Sequence, residues 1–226
     1  MTFSPDGALN FRQTLPGLFR SGNLSRLSEP GKQAIQNGNF ARILDLRTRA
    51  ERVSDAPPFL GTAGYLNLSV LPYRHRALNE ATAAATCNAD IGRALLEHGA
   101  NQVVAVLGAI LDAPRGPVLI HCHAGKDRTG LISALCGELA GQSREQIGAD
   151  YAASGPALTA FYAEQRRRKT PEQWARLEPF VPSQPQDVLR PLAFLDEAWG
   201  GTEAYLNAHG FGPDDSRALA QRLLGV

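Results

Sequence analysis

The sequence predicts an α/β fold: a mostly parallel central sheet flanked by helices, with a helical C-terminal part. Three observations carry this. Short strand-like runs alternate with helix-compatible segments from Leu18 to Cys136. Beyond Gly141 every segment reads as helix. Between these halves, Val118-Leu119-Ile120 feeds a tight loop, and the loop feeds an apolar stretch, Leu131 to Cys136, that can wind as a helix.

In chain order, residues 1–17 carry Pro5, Gly7, Pro16 and Gly17 and read as an irregular lead-in. Leu18-Phe19-Arg20 is a short strand. Ser28-Glu29-Pro30 starts a helix that Asn37-Gly38 stops. Phe40 to Leu46 is a strand ending in Asp45, and a further helical piece begins near Thr48 and ends by Pro57-Pro58. Tyr65 to Val70 alternates apolar and polar residues, the period of a strand. After a small basic group, Tyr73-Arg74-His75-Arg76, residues 78–98 are Ala-rich and helix-compatible. Val103, Val106, Leu107, Ile110 and Leu111 form a helical stripe leading to the strand at Val118. Ser143 with Gln146, and Thr170 with Pro171 and Gln173, read as helix N-caps. Gly200-Gly201 and Gly210 to Pro213 punctuate the last three helices. No linker or repeat divides the chain, so residues 1–226 are expected to form one domain.

A chain of 226 residues with 43% apolar and 20% charged residues has the composition of a globular protein with a sizeable core. The formal net charge of +1 gives no global field to recruit nucleic acid. No run approaches the ~20 apolar residues of a membrane span, and no signal peptide is visible at the N-terminus. The expected location is the cytoplasm, with leaderless export left open. Three cysteines, Cys87, Cys122 and Cys136, make no disulfide framework.

The chemistry concentrates in His121-Cys122-His123-Ala124-Gly125-Lys126-Asp127-Arg128-Thr129-Gly130. Backbone N–H groups of such a loop, together with the positive end of the following helix, converge on one anion. Cys122 opens this cradle, and a thiol held there is expected to ionise readily. Arg128 closes it with a planar fork of donors that matches two phosphate oxygens. Gly125 marks a backbone position needing unusual torsion. A nucleotide-binding Gly-x4-Gly-Lys-Ser/Thr reading fails, because Ile120 stands where the first Gly belongs and Asp127 where Ser/Thr belongs. His121, Cys122 and His123 lack the spacing of zinc ligands, and His75, His98 and His209 form no motif, so no metal and no cofactor is expected.

The decapeptide resembles the signature loop of the cysteine-dependent protein tyrosine phosphatase superfamily, and more closely its atypical bacterial branch with tyrosine and phosphoinositide activity. Leu18 to Gly22, Ile43 to Arg47, and Glu203 to Leu206 with Gly210 are similar to recurrent segments of that branch. The resemblance implies a phosphatase fold and a cysteinyl-phosphate intermediate on Cys122. It further implies a phosphate cradle over His123, Ala124, Gly125, Lys126, Asp127 and Arg128, and substrates that are phosphorylated proteins or phosphoinositides. Thr129 is expected to hydrogen-bond the Cys122 sulfur. Lys126 and His123 are expected to face a second phosphate, as in tensin-type phosphoinositide phosphatases. The Trp-Pro-Asp segment that carries the general acid in related tyrosine phosphatases is missing, since neither Trp174 nor Trp199 is followed by Pro-Asp. The proton donor is therefore Asp127 or Asp45. Asp127 is favoured, because myotubularin-type lipid phosphatases also carry an Asp directly before the loop Arg. The competing readings are a catalytically idle phosphate-binding module and a thiol-dependent sulfurtransferase or arsenate reductase.

Overall fold

The computed structural model describes residues 3–72 and 74–225. Strands β1 (Arg12–Leu15), β2 (Leu18–Ser21), β3 (Arg42–Asp45), β4 (Tyr65–Asn67) and β5 (Val118–His121) form one sheet in the order β1-β2-β5-β3-β4. β1 runs antiparallel to β2, and the other neighbours are parallel. Helices α1 (Glu29–Asn37), α2 (Arg49–Ser54), α3 (Arg76–Ala83), α4 (Asn88–His98) and α5 (Ala100–Leu111) lie in the first half, and α6 (Asp127–Leu139) follows β5. The C-terminal part holds α7 (Arg144–Ala152), α8 (Ser154–Arg168), α9 (Pro171–Leu177), α10 (Gln186–Trp199), α11 (Thr202–Ala208) and α12 (Pro213–Leu224).

β5 is central, and all four of its residues are buried, as a strand covered on both faces requires. Its side chains alternate between two cores. Val118 and Ile120 join Leu18 and Leu44 in a cluster with α4, α5, α6, α10, α11 and α12. Leu119 and Ile43 face the other way, onto Leu24, Leu27, Ile35 and Phe59. There Phe3, Phe11, Phe19 and Phe40 stack at ring-centroid distances of 5.2 to 6.5 Å. Local chemistry sets the helix starts. Ser28, Thr48, Ser143 and Thr170 each accept a hydrogen bond from the N–H three residues on, and the last three complete capping boxes.

The structure departs from the sequence reading in three places. β1 lies inside the expected irregular lead-in; as an edge strand pairing only with β2, Arg-Gln-Thr-Leu needs no apolar alternation. The strand expected to reach Val70 leaves the ladder after Asn67, where its neighbour β3 ends. The helix expected over 78–98 is two, broken at Ala84 to Cys87, because the Asp90 carboxylate takes the N–H groups of Thr86 and Cys87 and restarts the chain as α4. Tyr73 lies outside the described residues; in the same basic group, His75 caps α3 through its imidazole. Among the described residues, no single helix is long and apolar enough to cross a membrane.

Candidate active site

β5 ends in register with Ser21 of β2 and Asp45 of β3, so the loop 122–126 emerges at the carboxyl edge of the parallel strands. This is where open α/β sheets place ligands. The loop is held from outside by its carbonyl oxygens. The Asn23 N–H donates to His123 O at 2.8 Å. Asn10 Nδ2 donates to Ala124 O at 3.1 Å and to Gly125 O at 3.0 Å. The fully buried Arg20 guanidinium donates to Gly125 O at 2.6 Å and Lys126 O at 3.1 Å. In a trans peptide the C=O and N–H point in opposite directions. Four consecutive carbonyls tied outward therefore turn the N–H groups of residues 124 to 127 toward the centre of the loop. Asp150 anchors this scaffold, at 2.5 Å from Arg20 and 2.6 Å from Arg12. Gly125 has φ +68°, and a Cβ there would sit 2.4 Å from the backbone of Ser21, so no other residue fits.

Arg128 comes from the first turn of α6. Its two terminal nitrogens donate to the Glu51 carboxylate at 2.8 and 2.6 Å. Arginine carries five donor hydrogens, so about three remain for an anion. Burial alone would raise the Glu51 pKa, but the bonds and charge of Arg128, with help from Thr48, hold it down at about 2. Burial works against the Arg128 charge; the Cys122 sulfur and Glu51 outweigh it and raise its pKa. Cys122, His123, Ala124, Asp127 and Arg128 line one cleft of about 370 Å³. Its far wall comes from α8, α9 and the turn between them, with Phe161, Tyr162, Lys169, Arg176 and Leu177.

The two carboxylates expected to compete for the acid role stand in different places. Asp127 lines the cleft, accepts a hydrogen bond from Tyr151 Oη at 2.7 Å, and has Lys126 Nζ at 3.6 Å. Asp45 is fully buried under the loop, bonded by Arg47 and by Tyr65 Oη at 2.8 Å. Burial would raise its pKa, yet His121 and Arg47 pull it below the usual carboxylate value. The geometry therefore gives Asp45 no path to the cleft.

Lys126 stands differently from its expected role. Its backbone belongs to the loop, but its side chain is fully buried and is not part of the cleft lining. Nζ donates to the carbonyls of Phe180 and of Pro182, the latter at 3.1 Å, and lies 3.3 Å from Asn88 Oδ1. Three acceptors in a desolvated site are a better partner for an ammonium than an open cleft, and they tie the loop to the segment following α9. Burial lowers the Lys126 pKa, with Asp127 and Asp187 opposing. His123 does line the cleft, edge-on to Phe161 at 5.8 Å, and burial lowers its pKa below the ordinary histidine value. The Thr129 hydroxyl is buried without a hydrogen-bond partner, the Cys122 sulfur included. Burial pushes the Cys136 thiol up to about 12, which leaves it inert at neutral pH.

His121 is fully buried beneath the loop, with Nε2 at 3.7 Å from Asp45. Burial, opposed by Asp45, pushes its pKa down from 6.5 to about 4. The imidazole is neutral at pH 7. Between pH 6.5 and about 4 the unfolded chain takes up a proton that the folded protein refuses. Stability is therefore expected to fall by about 3 kcal/mol as pH drops through that window. Urea unfolding at pH 7 and pH 4.5 checks it: His121→Asn should flatten the slope, and an unchanged slope would assign the loss to other groups.

Sequence reasoning missed the groups that hold the loop: Asn10, Arg20, Asn23, Glu51 and Tyr151. Arg20 left a signal, a cation inside an apolar strand. Glu51 stands three residues after Thr48 as a capping-box acid, a local role that concealed the long-range one. Among the described residues no three His, Cys, Asp or Glu side chains gather as a metal site would need.

The tyrosine phosphatase family profile matches residues 9–225. The chain belongs to this family. Triple specificity protein phosphatase PtpB of Mycobacterium tuberculosis (strain ATCC 25618 / H37Rv) is 30% identical over 273 aligned positions, covering 97% of this chain and 96% of that protein. A tyrosine-protein phosphatase of Nostoc commune is 28% identical over 90% of this chain and 73% of its own length. The core catalytic domain of the PP-IP phosphatase SIW14 of S. cerevisiae, solved with citrate, aligns with 78% of this chain and 93% of its own at 17% identity and a TM-score of 0.45. This tyrosine phosphatase family member is thus a cysteine-dependent phosphatase, an enzyme that hydrolyses phosphomonoesters.

Proposed function

We propose that the enzyme dephosphorylates phosphotyrosine, with Cys122 as nucleophile, Arg128 as phosphoryl clamp and Asp127 as general acid and base. The observation that carries this is the outward tethering of four consecutive loop carbonyls around Cys122, with Arg128 held in place by Glu51. The Cys122 thiolate attacks phosphorus, and the bond from phosphorus to the ester oxygen breaks. Asp127 gives its proton to the departing oxygen. Water then attacks the cysteinyl-phosphate, Asp127 takes the water's proton, and phosphate leaves as Cys122 regains its thiolate. The charge that spreads over the transferring oxygens meets the loop N–H groups and Arg128. The unpartnered Thr129 hydroxyl is the donor available to the departing sulfur. Phe161, Tyr162 and Leu177 form walls suited to an aromatic ring.

The test is the leaving-group dependence. Asp127→Asn should slow a phosphotyrosine peptide by about 10²–10⁴ and flatten the alkaline limb of its pH–rate profile. para-Nitrophenyl phosphate, whose leaving group needs no proton, should suffer less. Should Asp45→Asn give that pattern and Asp127→Asn not, the acid is misassigned.

A second reading has its own observation. Lys169 and Arg176 line the cleft and, among the described residues, have no ion-pair partner. They offer free cations to a second phosphate of a phosphoinositide, which the Lys126 ammonium, bonded to the carbonyls of Phe180 and Pro182, does not. Replacing both by Ala should lower efficiency on a multiply phosphorylated phosphoinositide relative to a phosphotyrosine peptide about tenfold, equivalent to ~1.4 kcal/mol. An equal fall on both substrates would remove the second-phosphate role.

A further inference from the structure

α2 has two faces with different work. Glu51 grips Arg128, which lines the cleft. Arg49, Arg52 and Val53 turn to a separate groove of about 1190 Å³, walled on its other sides by Asn67, Ser69, Leu71, Pro72 and Arg74. This is a far larger space than the catalytic cleft. Its charge is of one sign: Arg49, Arg52 and Arg74 line it, and among the described residues no Asp or Glu does. Among the described residues none of the three arginines has an ion-pair partner, and all three line this one groove. The Arg52 Nε is buried without an acceptor. Val53, 77% exposed, leaves an apolar side chain open beside them. Unpaired guanidinium groups set among hydroxyl and amide side chains form a surface that wants carboxylates.

We propose that this groove receives acidic side chains of the phosphoprotein substrate, a recognition site separate from the phosphate cradle. The proposal rests on the phosphotyrosine reading above. Its geometry is explicit. The groove and the Arg128 clamp lie on opposite sides of one helix, and a helix with its side chains is about 10–12 Å across. An extended peptide covers about 3.3 Å per residue. Acidic residues three or four positions from the phosphotyrosine therefore reach Arg49, Arg52 and Arg74. Contacts made equally in ground and transition states lower KM and leave kcat alone, and exposed charge pairs of this kind weaken in salt.

The experiment uses the full chain and phosphotyrosine peptides with Glu or Ser placed at each position up to five residues to either side. Glu at three or four positions on one side should raise kcat/KM about tenfold over Ser, through KM. The combined Arg49→Ser, Arg52→Ser, Arg74→Ser variant should erase that preference, as 0.5 M salt should. Its turnover of para-nitrophenyl phosphate should be unchanged. The single charge reversal Arg74→Glu, at an exposed position, takes the three arginines' charge from +3 to +1, should weaken the preference severalfold and serves where the combined variant fails to fold. A preference for Glu that survives both variants undiminished overturns the proposal. So does a combined variant that keeps its peptide preference and loses activity only on phosphoinositide in anionic vesicles, which would assign the groove to a membrane surface. Failure of the phosphotyrosine reading is distinguishable, because the unaltered enzyme would then turn over para-nitrophenyl phosphate but none of the peptides.

Discussion

Cys122→Ser should abolish turnover, lowering kcat by about 10⁵–10⁶, the scale on which loss of a nucleophile acts. Phosphate and vanadate binding should survive. The two outcomes follow from different atoms. The covalent step needs the sulfur, since a thiol ionises in an anion cradle where a serine hydroxyl keeps its proton, and Asp127 enters that step as the acid. Anion binding needs the N–H groups of the loop and the Arg128 fork. Those are positioned by Asn10, Arg20, Asn23 and Glu51, whose bonds go to the loop carbonyls and to Arg128 rather than to the sulfur. Single-turnover kinetics with isothermal titration of vanadate would check both halves. A variant with a substantial share of wild-type turnover would end the covalent mechanism, and one that no longer binds vanadate would show that the cradle depends on the thiol.

Arg128→Lys should be nearly as damaging, lowering kcat/KM by about 10³–10⁵, the range known for arginines that stabilise phosphoryl transfer. The positive charge is conserved, so the loss comes from geometry. The guanidinium serves Glu51 with both terminal nitrogens and still has donors for two phosphate oxygens. An ammonium is a point charge on a flexible stem and cannot meet both demands. Drawn to Glu51 it leaves the cleft, and drawn to phosphate it leaves a half-buried carboxylate without its partner. The measurement is kcat/KM on para-nitrophenyl phosphate beside vanadate affinity. Retention of more than about a tenth of the wild-type efficiency would mean that charge alone suffices.

What the sequence determined by itself was the strand, loop and helix around Cys122, because those signals are local. An apolar run, a Gly that must take positive φ and an Arg six positions after the Cys all act within one turn of chain. The alternation of strand and helix likewise announced a parallel sheet, since each segment carries its own period. Only the tertiary structure decided which carboxylate faces the cleft. The sequence favoured Asp127 over Asp45 only by resemblance; the two differ in place because α6 turns one toward Tyr151 and the cleft while β3 buries the other beneath the loop against Arg47. It also decided that the Lys126 ammonium leaves the phosphate loop. Its acceptors, the carbonyls of Phe180 and Pro182, lie more than fifty residues away in sequence. Glu51, Arg20 and Asn10 escaped for the same reason. Each holds the loop across a large sequence separation, and the energy of such contacts depends on where folding brings the partners, which no local pattern records.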